Sequence, residues 1–145
     1  MRVSMRADYG LRAMIDLAER YGQGTVQSAH IAARQRISDP YLDQLLTALR
    51  KAGLVHSVRG PSGGHTLARR PEEMTLAEIV VALEGPSTFV SCMQDEHTCQ
   101  LGANCAIQEI WRNMEDASMR VLQGTTLAEL AARQVAERNQ EMYYI

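Results

Sequence analysis

Hydrophobic residues in the first third of the chain recur at helical spacing, in segments divided by turn residues. In the first segment they follow the i, i+3, i+4, i+7 rule of one buried helix face. These positions are Met14, Leu17, Ala18 and Tyr21. Ser4 is a suitable cap before this segment, and the Gly-Gln-Gly sequence at 22–24 would end it. The pattern therefore predicts a first helix between these two points.

Two further helices are predicted, with almost no chain between them. Ser28 would open a short helix that ends at Gln35, and Ser38 followed by Pro40 is a strong signal for a restart. The buried stripe of the next helix consists of Leu42, Leu45, Leu46 and Leu49. Gly53 would stop this helix. Because only about three residues separate the two helices, the pair is predicted to be a helix-turn-helix.

Strand-forming residues and a glycine-rich tip replace the helical pattern after this pair. Residues 55–58 and 65–67 favour strands, and the sequence Gly-Pro-Ser-Gly-Gly lies between them at 60–64. This arrangement indicates a β-hairpin. Three helices followed by a hairpin are typical of a winged helix, in which the hairpin is the wing.

The second half of the chain is predicted to be mainly helical. Thr75 and Glu78 form a capping box before one apolar helix, and Thr126 with Glu129 would cap a last one. Between them, residues 106 to about 122 form a long amphipathic run. One face of it carries Ile107, Ile110, Trp111, Met114, Ser118 and Val121. This stripe is longer than so small a domain needs for its own core, so we assign it to subunit contact. The expected fold is mainly α with a small β-hairpin, a winged helix-turn-helix plus a long dimerisation helix.

Length and composition exclude several classes of protein. The chain has 145 residues, 46% hydrophobic and 22% charged, as expected for one globular domain with at most a small appendage. Its longest strictly aliphatic run, at 79–83, is far shorter than the ~20 apolar residues of a membrane span. No signal-peptide pattern is found at the start. We therefore expect a cytoplasmic protein with no membrane partner, whose thiols stay reduced.

The net charge of −2 hides a division between the two halves of the chain. Residues 1–70 hold 11 basic and 5 acidic side chains, whereas residues 71–145 hold 4 and 12. A basic half suits a polyanion such as DNA, although surface charge also segregates by chance.

The leucine stripe of the third predicted helix indicates which of its residues face outward. Tyr41, Gln44 and Ala48 would lie opposite the stripe, with Asp43 and Thr47 at its edge. Glutamine bonds adenine edges, tyrosine bonds phosphate, and aspartate accepts a hydrogen bond from cytosine. The outward face is therefore a candidate for reading DNA, and the alternative is a solvated face that binds nothing.

Two more candidates flank this helix. Ser38 at its cap leaves backbone N–H groups free to approach a phosphate. Arg59, beside Gly60 at the glycine-rich tip, suits insertion into a minor groove. A phosphate-binding loop is the rival reading of these glycines, but the Gly-Lys-Ser/Thr ending that it requires is absent.

Three cysteines lie close together in the segment before the long amphipathic helix, at Cys92, Cys99 and Cys105. Their spacing does not provide the Cys-x2–4-Cys pairs of a structural zinc site or the Cys-x-x-Cys of a redox pair. Soft thiolates along one loop favour an iron–sulfur cluster that still lacks one ligand. A thiol switch, a zinc site and inert cysteines stay open as alternatives.

Several stretches of the chain resemble one family of bacterial regulators over about residues 1–130. They are Met-Arg-Val-Ser at 1–4, Ala-Asp-Tyr-Gly-Leu-Arg-Ala at 7–13, Tyr-Leu-Asp-Gln-Leu-Leu at 41–46, Gly-Leu-Val at 53–55, Val-Arg-Gly-Pro at 58–61 and Gly-Gly at 63–64. With the cysteine triplet, they make the chain similar to the family of the iron–sulfur assembly regulator IscR and the nitric-oxide-sensitive repressor NsrR. The wing motif and the triplet together are highly specific.

The resemblance implies a homodimeric winged-helix transcription factor whose long helix crosses its counterpart. Cys92, Cys99 and Cys105 would hold a cluster, 2Fe–2S or 4Fe–4S, near the dimer interface. IscR-like members place a histidine ligand where this chain has Gln108. NsrR-like members use an acid from the other subunit, and Asp8 occupies that place. Asp8 is therefore the candidate fourth ligand, although an acid at a helix N-terminus is also simply favoured by the helix dipole. His97 is a further candidate ligand.

The sequence thus predicts a homodimeric repressor or dual regulator that binds a palindromic operator in double-stranded DNA. Its promoter binding would respond to cluster supply, redox stress or nitric oxide. Residues 1–71, completed by the C-terminal helix, would form the DNA-binding domain, and residues 72–145 the cluster loop and dimerisation helices. The alternatives are a cluster-free regulator with a thiol switch or zinc site and, from another class, a small iron–sulfur carrier or scaffold. No arrangement of catalytic residues is apparent, so we do not expect an enzyme.

Overall fold

The computed structural model describes residues 3–85 and 105–143 of the chain. Six helices and one hairpin follow one another along these ranges. They are α1 (Met5–Glu19), α2 (Ser28–Gln35), α3 (Asp39–Lys51), β1 (Val55–Val58), β2 (Gly64–Leu67), α4 (Leu76–Glu84), α5 (Ala106–Gln123) and α6 (Leu127–Tyr143). A single 3-10 turn joins the hairpin to α4. No helix within the two described ranges is long and apolar enough to cross a membrane.

The first three helices pack their apolar faces into one core, and α2 and α3 form the predicted helix-turn-helix. The Oγ atom of Ser4 accepts a hydrogen bond from the backbone N–H of Ala7, so the predicted cap of α1 is confirmed. All four leucines of the α3 stripe are at most 3% exposed. Between α2 and α3 the backbone of Arg36 adopts a left-handed conformation with φ 55° and Ile37 is buried. This reversal allows α3 to restart at once against α1 and α2.

The wing is a two-stranded antiparallel hairpin, as predicted. Val55 pairs with Leu67 and Val58 with Gly64. At the tip, the backbone N–H of Gly63 donates to the carbonyl oxygen of Gly60 over 2.9 Å. A Cβ atom at Gly63 would collide with the carbonyl oxygen of Val58. The tip can therefore close only with glycine at that position.

The wing is also fastened to the segment that precedes α2. Val26 and His65 exchange two backbone hydrogen bonds, of 2.9 and 2.8 Å. The hydroxyl of Thr25 donates to the carbonyl oxygen of Ser62 over 2.9 Å. A Cβ atom at Gly64 would lie 2.6 Å from the carbonyl oxygen of Val26, which explains the glycine there. The segment before α2 thus lies beside the hairpin like a short third strand, and the hairpin is not free in solvent.

Both predicted capping boxes are present. The Thr75 side chain accepts from the backbone N–H of Glu78, whose carboxylate accepts from the backbone N–H of Thr75. Thr126 and Glu129 make the same reciprocal pair, with distances of 3.2 and 2.9 Å. Local sequence signals therefore fix where α4 and α6 begin.

Helices α4 and α6 return to the core of the winged helix. Ile79 and Leu83 of α4 and Leu127 and Ala131 of α6 belong to the same buried cluster as the leucines of α3. The backbone N–H of Leu127 donates to the carbonyl oxygen of Met74 over 2.8 Å, which joins the starts of the two helices. One core thus includes residues from both halves of the sequence.

Helix α5 leaves most of its apolar face uncovered. Its only buried residue is Gln108, whereas Ile107, Ile110 and Val121 are 60%, 56% and 69% exposed. Trp111 is partly covered. The described part of this chain therefore provides no core for the stripe.

One predicted boundary is wrong. Tyr21 was expected on the buried face of α1, but the helix ends at Glu19 and the tyrosine is 45% exposed. The cause is the early reversal around Gly22, whose φ of 83° favours glycine. At the other end of this loop, α2 begins at Ser28 itself.

Candidate functional site

The exposed face of α3 is centred on Asp43 and Gln44, both of which are exposed. The Thr47 hydroxyl donates to the carbonyl oxygen of Asp43 over 2.7 Å, so its hydrogen is used within the helix. Ala48 is partly buried against the core. The polar groups that α3 offers to a partner are therefore mainly the carboxylate of Asp43 and the amide of Gln44.

Tyr41 does not lie opposite the leucine stripe, and that prediction is wrong. Its ring is partly buried against the core and packs edge-to-face on Tyr9 of α1, with centroids 5.9 Å apart. The guanidinium of Arg12 lies 4.9 Å from the centre of the Tyr9 ring. At 100° per residue, positions 41 and 48 lie beside the stripe rather than opposite it. The Tyr41 ring is thus held by α1 at the edge of the exposed face.

Ser38 occupies the N-cap position of α3, as predicted, but its side chain makes no capping hydrogen bond. Its carbonyl oxygen accepts from the backbone N–H of Leu42 over 2.9 Å. Ser38 is exposed. Its hydroxyl is therefore not committed to the helix and lies at the positive end of the helix dipole.

The wing lies beside α3, with Arg59 and Gly60 exposed at its tip. Burial lowers the pKa of His65 in β2, while the charges of Asp43 and Arg50 on α3 raise and lower it respectively. At the base of the wing, Val55 and Leu67 are buried in the same cluster as the leucines of α3, so the hairpin packs against this helix. The described structure thus presents one helix and one hairpin side by side, as a winged-helix reader of DNA requires.

A buried acid that the sequence analysis missed positions the helix-turn-helix on α1. Asp16 is 1% exposed, and its carboxylate accepts from Nε and Nη2 of Arg34 over 2.9 and 2.8 Å. Gln35 donates to the same carboxylate over 3.1 Å, and Arg20 lies 3.3 Å away. Because Arg34 and Gln35 are near the end of α2, this cluster fixes the helix-turn-helix against α1.

The charge of Asp16 is stabilised by its partners. Burial acts to raise the pKa of Asp16, but hydrogen bonds from Arg34 and Gln35 and the charge of Arg20 outweigh it, so the pKa is lowered. The hydrogen bond to Asp16 likewise raises the pKa of Arg34. The available sequence signal was an aspartate between the buried residues Ile15 and Leu17.

Of the predicted cluster ligands, the structure describes Cys105 and Asp8. Cys105 is a partly exposed thiol at the N-cap of α5, and its carbonyl oxygen accepts from the backbone N–H of Gln108 over 3.2 Å. Asp8 pairs with Arg12 over 3.0 Å, with both side chains about half exposed. Cys92, Cys99 and His97 lie outside the described residues.

A concave surface of about 550 Å³ adjoins Cys105. It is lined by Cys105, Ala106, Gln108, Glu109, Arg112, Asn113 and Asp116. Within residues 3–85 and 105–143 no group of three cysteine, histidine or acidic side chains has the geometry to hold a metal. The described residues thus supply one accessible thiol beside open space, which is compatible with a cluster whose other ligands come from elsewhere.

Comparison with known proteins assigns the chain to a family. The profile of the Rrf2 family, described as an iron-dependent transcriptional regulator, matches residues 3–133. The chain belongs to the Rrf2 family. Among curated Rrf2-type relatives, the transcriptional regulator CymR of Bacillus subtilis is 38% identical over 145 residues, all of both chains. The regulator IscR of Photorhabdus laumondii is 38% identical over 134 residues, covering 92% of this chain and 81% of the relative.

Solved Rrf2-type structures share the fold. CymR, the global cysteine regulator of B. subtilis, superposes with a TM-score of 0.77 at 38% identity and covers 92% of this chain and 98% of its own. IscR of T. potens superposes with a TM-score of 0.76 at 38% identity, covering 99% and 97%. These matches confirm the resemblance and the winged-helix fold. They make the chain a transcriptional regulator with a DNA-binding rather than an enzymatic role.

Proposed function

We propose that this Rrf2 regulator is a homodimer whose binding to a palindromic operator is controlled by an iron–sulfur cluster, 2Fe–2S or 4Fe–4S. The observation that carries the proposal is the composition of α5. Cys105 is the N-cap of this helix, which then presents a mostly uncovered apolar face along its length. One helix thus joins a cluster ligand to the surface on which two subunits would meet.

The apolar face of α5 has the spacing of a helix–helix seam. Ile107, Ile110, Met114 and Val121 recur with alternating intervals of three and four or their sum, which is the heptad pattern. Large exposed apolar patches on a small protein mark interaction surfaces. A second copy of α5 crossing this face would cover it, and the two-fold axis would present two copies of α3 to successive major grooves.

The proposed operator contacts come from α3 and the wing. Asp43 and Gln44 would read base edges, and Ser38 and the Tyr41 hydroxyl would contact phosphates. Arg59, next to Gly60, would enter the minor groove. The basic first half of the sequence supports this assignment, since phosphate contacts dominate affinity for DNA. In this division, residues 1–71 with α6 read DNA, and residues 72–145 sense and dimerise.

The proposed cluster ligands are Cys92, Cys99, Cys105 and, from the partner subunit, the acid at position 8. A cluster supplies redox and nitric-oxide chemistry when bound. The residues of this chain would provide thiolates and position them. Cys105 is supported in this role by its partial exposure at the N-cap of α5, beside the segment that carries the other two cysteines.

The chain has a physical connection between the cysteine segment and the DNA-reading unit. Nε of Arg6 in α1 donates to the carbonyl oxygen of Leu83 over 2.6 Å, and the backbone N–H of Ser4 donates to Glu84 over 3.2 Å. Leu83 and Glu84 end α4, directly before the segment that carries Cys92 and Cys99. A change in that segment would therefore act on the start of α1, close to Asp8.

The proposal is tested by purifying the protein without oxygen and measuring iron and sulfide per chain with absorption and Mössbauer spectra. We expect a cluster, lost in Cys105→Ser and depleted in Asp8→Ala. Glu137→Ala, which removes an exposed acid from α6, is the matched control and should keep full cluster content. Binding to a promoter fragment selected by the protein itself should change with cluster content in the wild type.

The outcomes separate the two regulator mechanisms. Unchanged cluster content in Asp8→Ala would remove this residue from the ligand set. A colourless protein after anaerobic reconstitution would refute the cluster and favour a thiol switch or a zinc site. The relationship to CymR, named as a global cysteine regulator, makes this second mechanism the one to test next.

A further inference from the structure

A second concave surface lies away from the cysteine segment, between α1, α2 and α6. We propose that it binds a small molecule carrying at least two carboxylate or phosphate groups. We call it the arginine groove. It is lined by Arg12, Ile15, Asp16, Glu19, Arg20, Arg34, Gln35, Arg36, Gln134 and Arg138.

The composition of the groove selects the charge of its ligand. Five arginines and two acids line the groove, and Ile15 is the one apolar residue of its described lining. Arg12 also pairs with Asp8 outside the lining, which leaves a local excess of two positive charges. Arginine forks match carboxylate and phosphate geometry bidentately. A volume of about 640 Å³ is in the range of small-molecule sites. The expected ligand is therefore compact, hydrophilic and multiply anionic.

Two of the five arginines are held in place by buried or half-buried acids before any ligand arrives. Arg34 is fixed on Asp16, and Arg138 donates to both carboxylate oxygens of Glu19 over 2.7 and 3.3 Å. A guanidinium has five N–H donors, so a bidentate pair leaves others for a further partner. The two acids are 1% and 12% exposed at the side chain and thus lie beneath the arginines. Preorganised donors bind an anion with less loss of side-chain entropy.

The position of the groove favours a small molecule over the DNA backbone. Among the described residues, none of α3 or the wing lines it, and α6 contributes Gln134 and Arg138. A ligand there would instead contact the turn that aims α3. Arg36 is the left-handed residue of that turn, and Arg34 lies two residues before it. The groove is therefore suited to an effector that adjusts DNA binding without occupying the DNA face.

The proposal is tested with citrate and inorganic pyrophosphate as probes, on the full chain and without DNA. Thermal unfolding is followed at constant ionic strength, with acetate as the monovalent control. We expect a saturable rise in Tm of about 5–10 °C at 100 times the Kd of the probe, since binding then stabilises the folded state by about 2.7 kcal/mol. Arg36→Gln and Arg12→Gln should each weaken the probe about tenfold. Arg133→Gln removes a charge from α6 outside the groove and should bind as the wild type does.

Three results would overturn the proposal. The Tm could rise with probe concentration without saturating, or rise equally in all variants, which would mean that the probe only screens surface charge. Acetate could act as strongly as citrate. Alternatively, the probes could fail to bind while Arg36→Gln and Arg12→Gln reduce the salt dependence of DNA binding, which would identify a phosphate-backbone contact. The unliganded Tm of each variant shows whether it is folded. Because Arg12 also pairs with Asp8, the titration is repeated on cluster-free protein, where Arg36→Gln and Arg12→Gln should weaken the probe to the same extent.

Discussion

Replacing Arg34 by methionine tests how strongly the buried acid of α1 holds the helix-turn-helix. The substitution keeps most of the side-chain stem and removes both hydrogen bonds to Asp16, which is 1% exposed. Breaking a buried pair by removing one partner costs about 3–5 kcal/mol. Gln35 still donates to the carboxylate, Arg20 still lies 3.3 Å from it, and the Arg34 side chain is 35% exposed, so we expect a cost of about 2–3 kcal/mol at pH 7.

The same chain offers a matched control for this substitution. Arg138 makes an equally forked pair with Glu19, but Arg138 is 51% exposed and Glu19 12%. Exposed pairs of this kind contribute about 0–1 kcal/mol, so Arg138→Met should be nearly neutral. Urea unfolding of the two variants measures the difference, and Arg34→Met should also lower Tm by about 5–10 °C.

The pH dependence gives the prediction a second signature. The partners of Asp16 lower its pKa in the folded protein, so this contribution is present above the unfolded pKa and is lost as pH falls through the folded one. Without Arg34, the burial of Asp16 acts with less opposition and its pKa rises. The gap between wild type and Arg34→Met should therefore narrow as the pH falls from 7 toward 4. Equal costs for the two methionine variants, or a gap that does not change with pH, would refute the reasoning.

Three other predictions follow from α5 and the wing. Ile110→Glu places a charge in the proposed subunit seam and should give monomers in analytical ultracentrifugation; an unchanged dimer would exclude this face. Gly63→Ala forces a Cβ atom against the Val58 carbonyl oxygen and should lower operator affinity at least about tenfold by anisotropy, unless the wing does not contact DNA. Arg59→Gln should reduce the slope of the logarithm of the DNA-binding constant against the logarithm of salt concentration by about one. An unchanged slope would show that Arg59 does not contact the phosphates or the groove.

Local signals in the sequence were sufficient for most of the fold. The capping boxes at Thr75 and Thr126 mark the first residues of α4 and α6, because their partners lie three residues away. The spacing of the leucines likewise predicted the buried face of α3, and the glycines predicted the tip of the wing because of the backbone geometry that they allow. The uncovered face of α5 was also readable, since its apolar stripe exceeded what the core could use.

Contacts between distant segments could not be read from the same patterns. The partner of Asp16 lies 18 residues away, and helical periodicity does not say which side chain crosses between helices. Helical spacing puts Tyr41 beside the leucine stripe and not opposite it, so that placement was an error in reading the pattern, but no spacing shows that Tyr9 of α1 packs on its ring. The proposed role of the cysteine segment as a cluster site rests on the spacing of its cysteines and on the family resemblance, since Cys92 and Cys99 are not among the described residues.

The fastening of the wing to the loop before α2 has a consequence for how selectivity evolves. An isolated two-stranded hairpin is marginally stable, but Thr25 and Val26 hold this one in place when the chain folds. The entropy cost of ordering the wing is therefore borne during folding and not on DNA binding. A stiff wing cannot adjust to a groove of the wrong width, so such DNA should bind more weakly. Changes in the loop at residues 22–25, outside the candidate DNA-reading residues, would then broaden or sharpen the range of promoters that the regulator accepts.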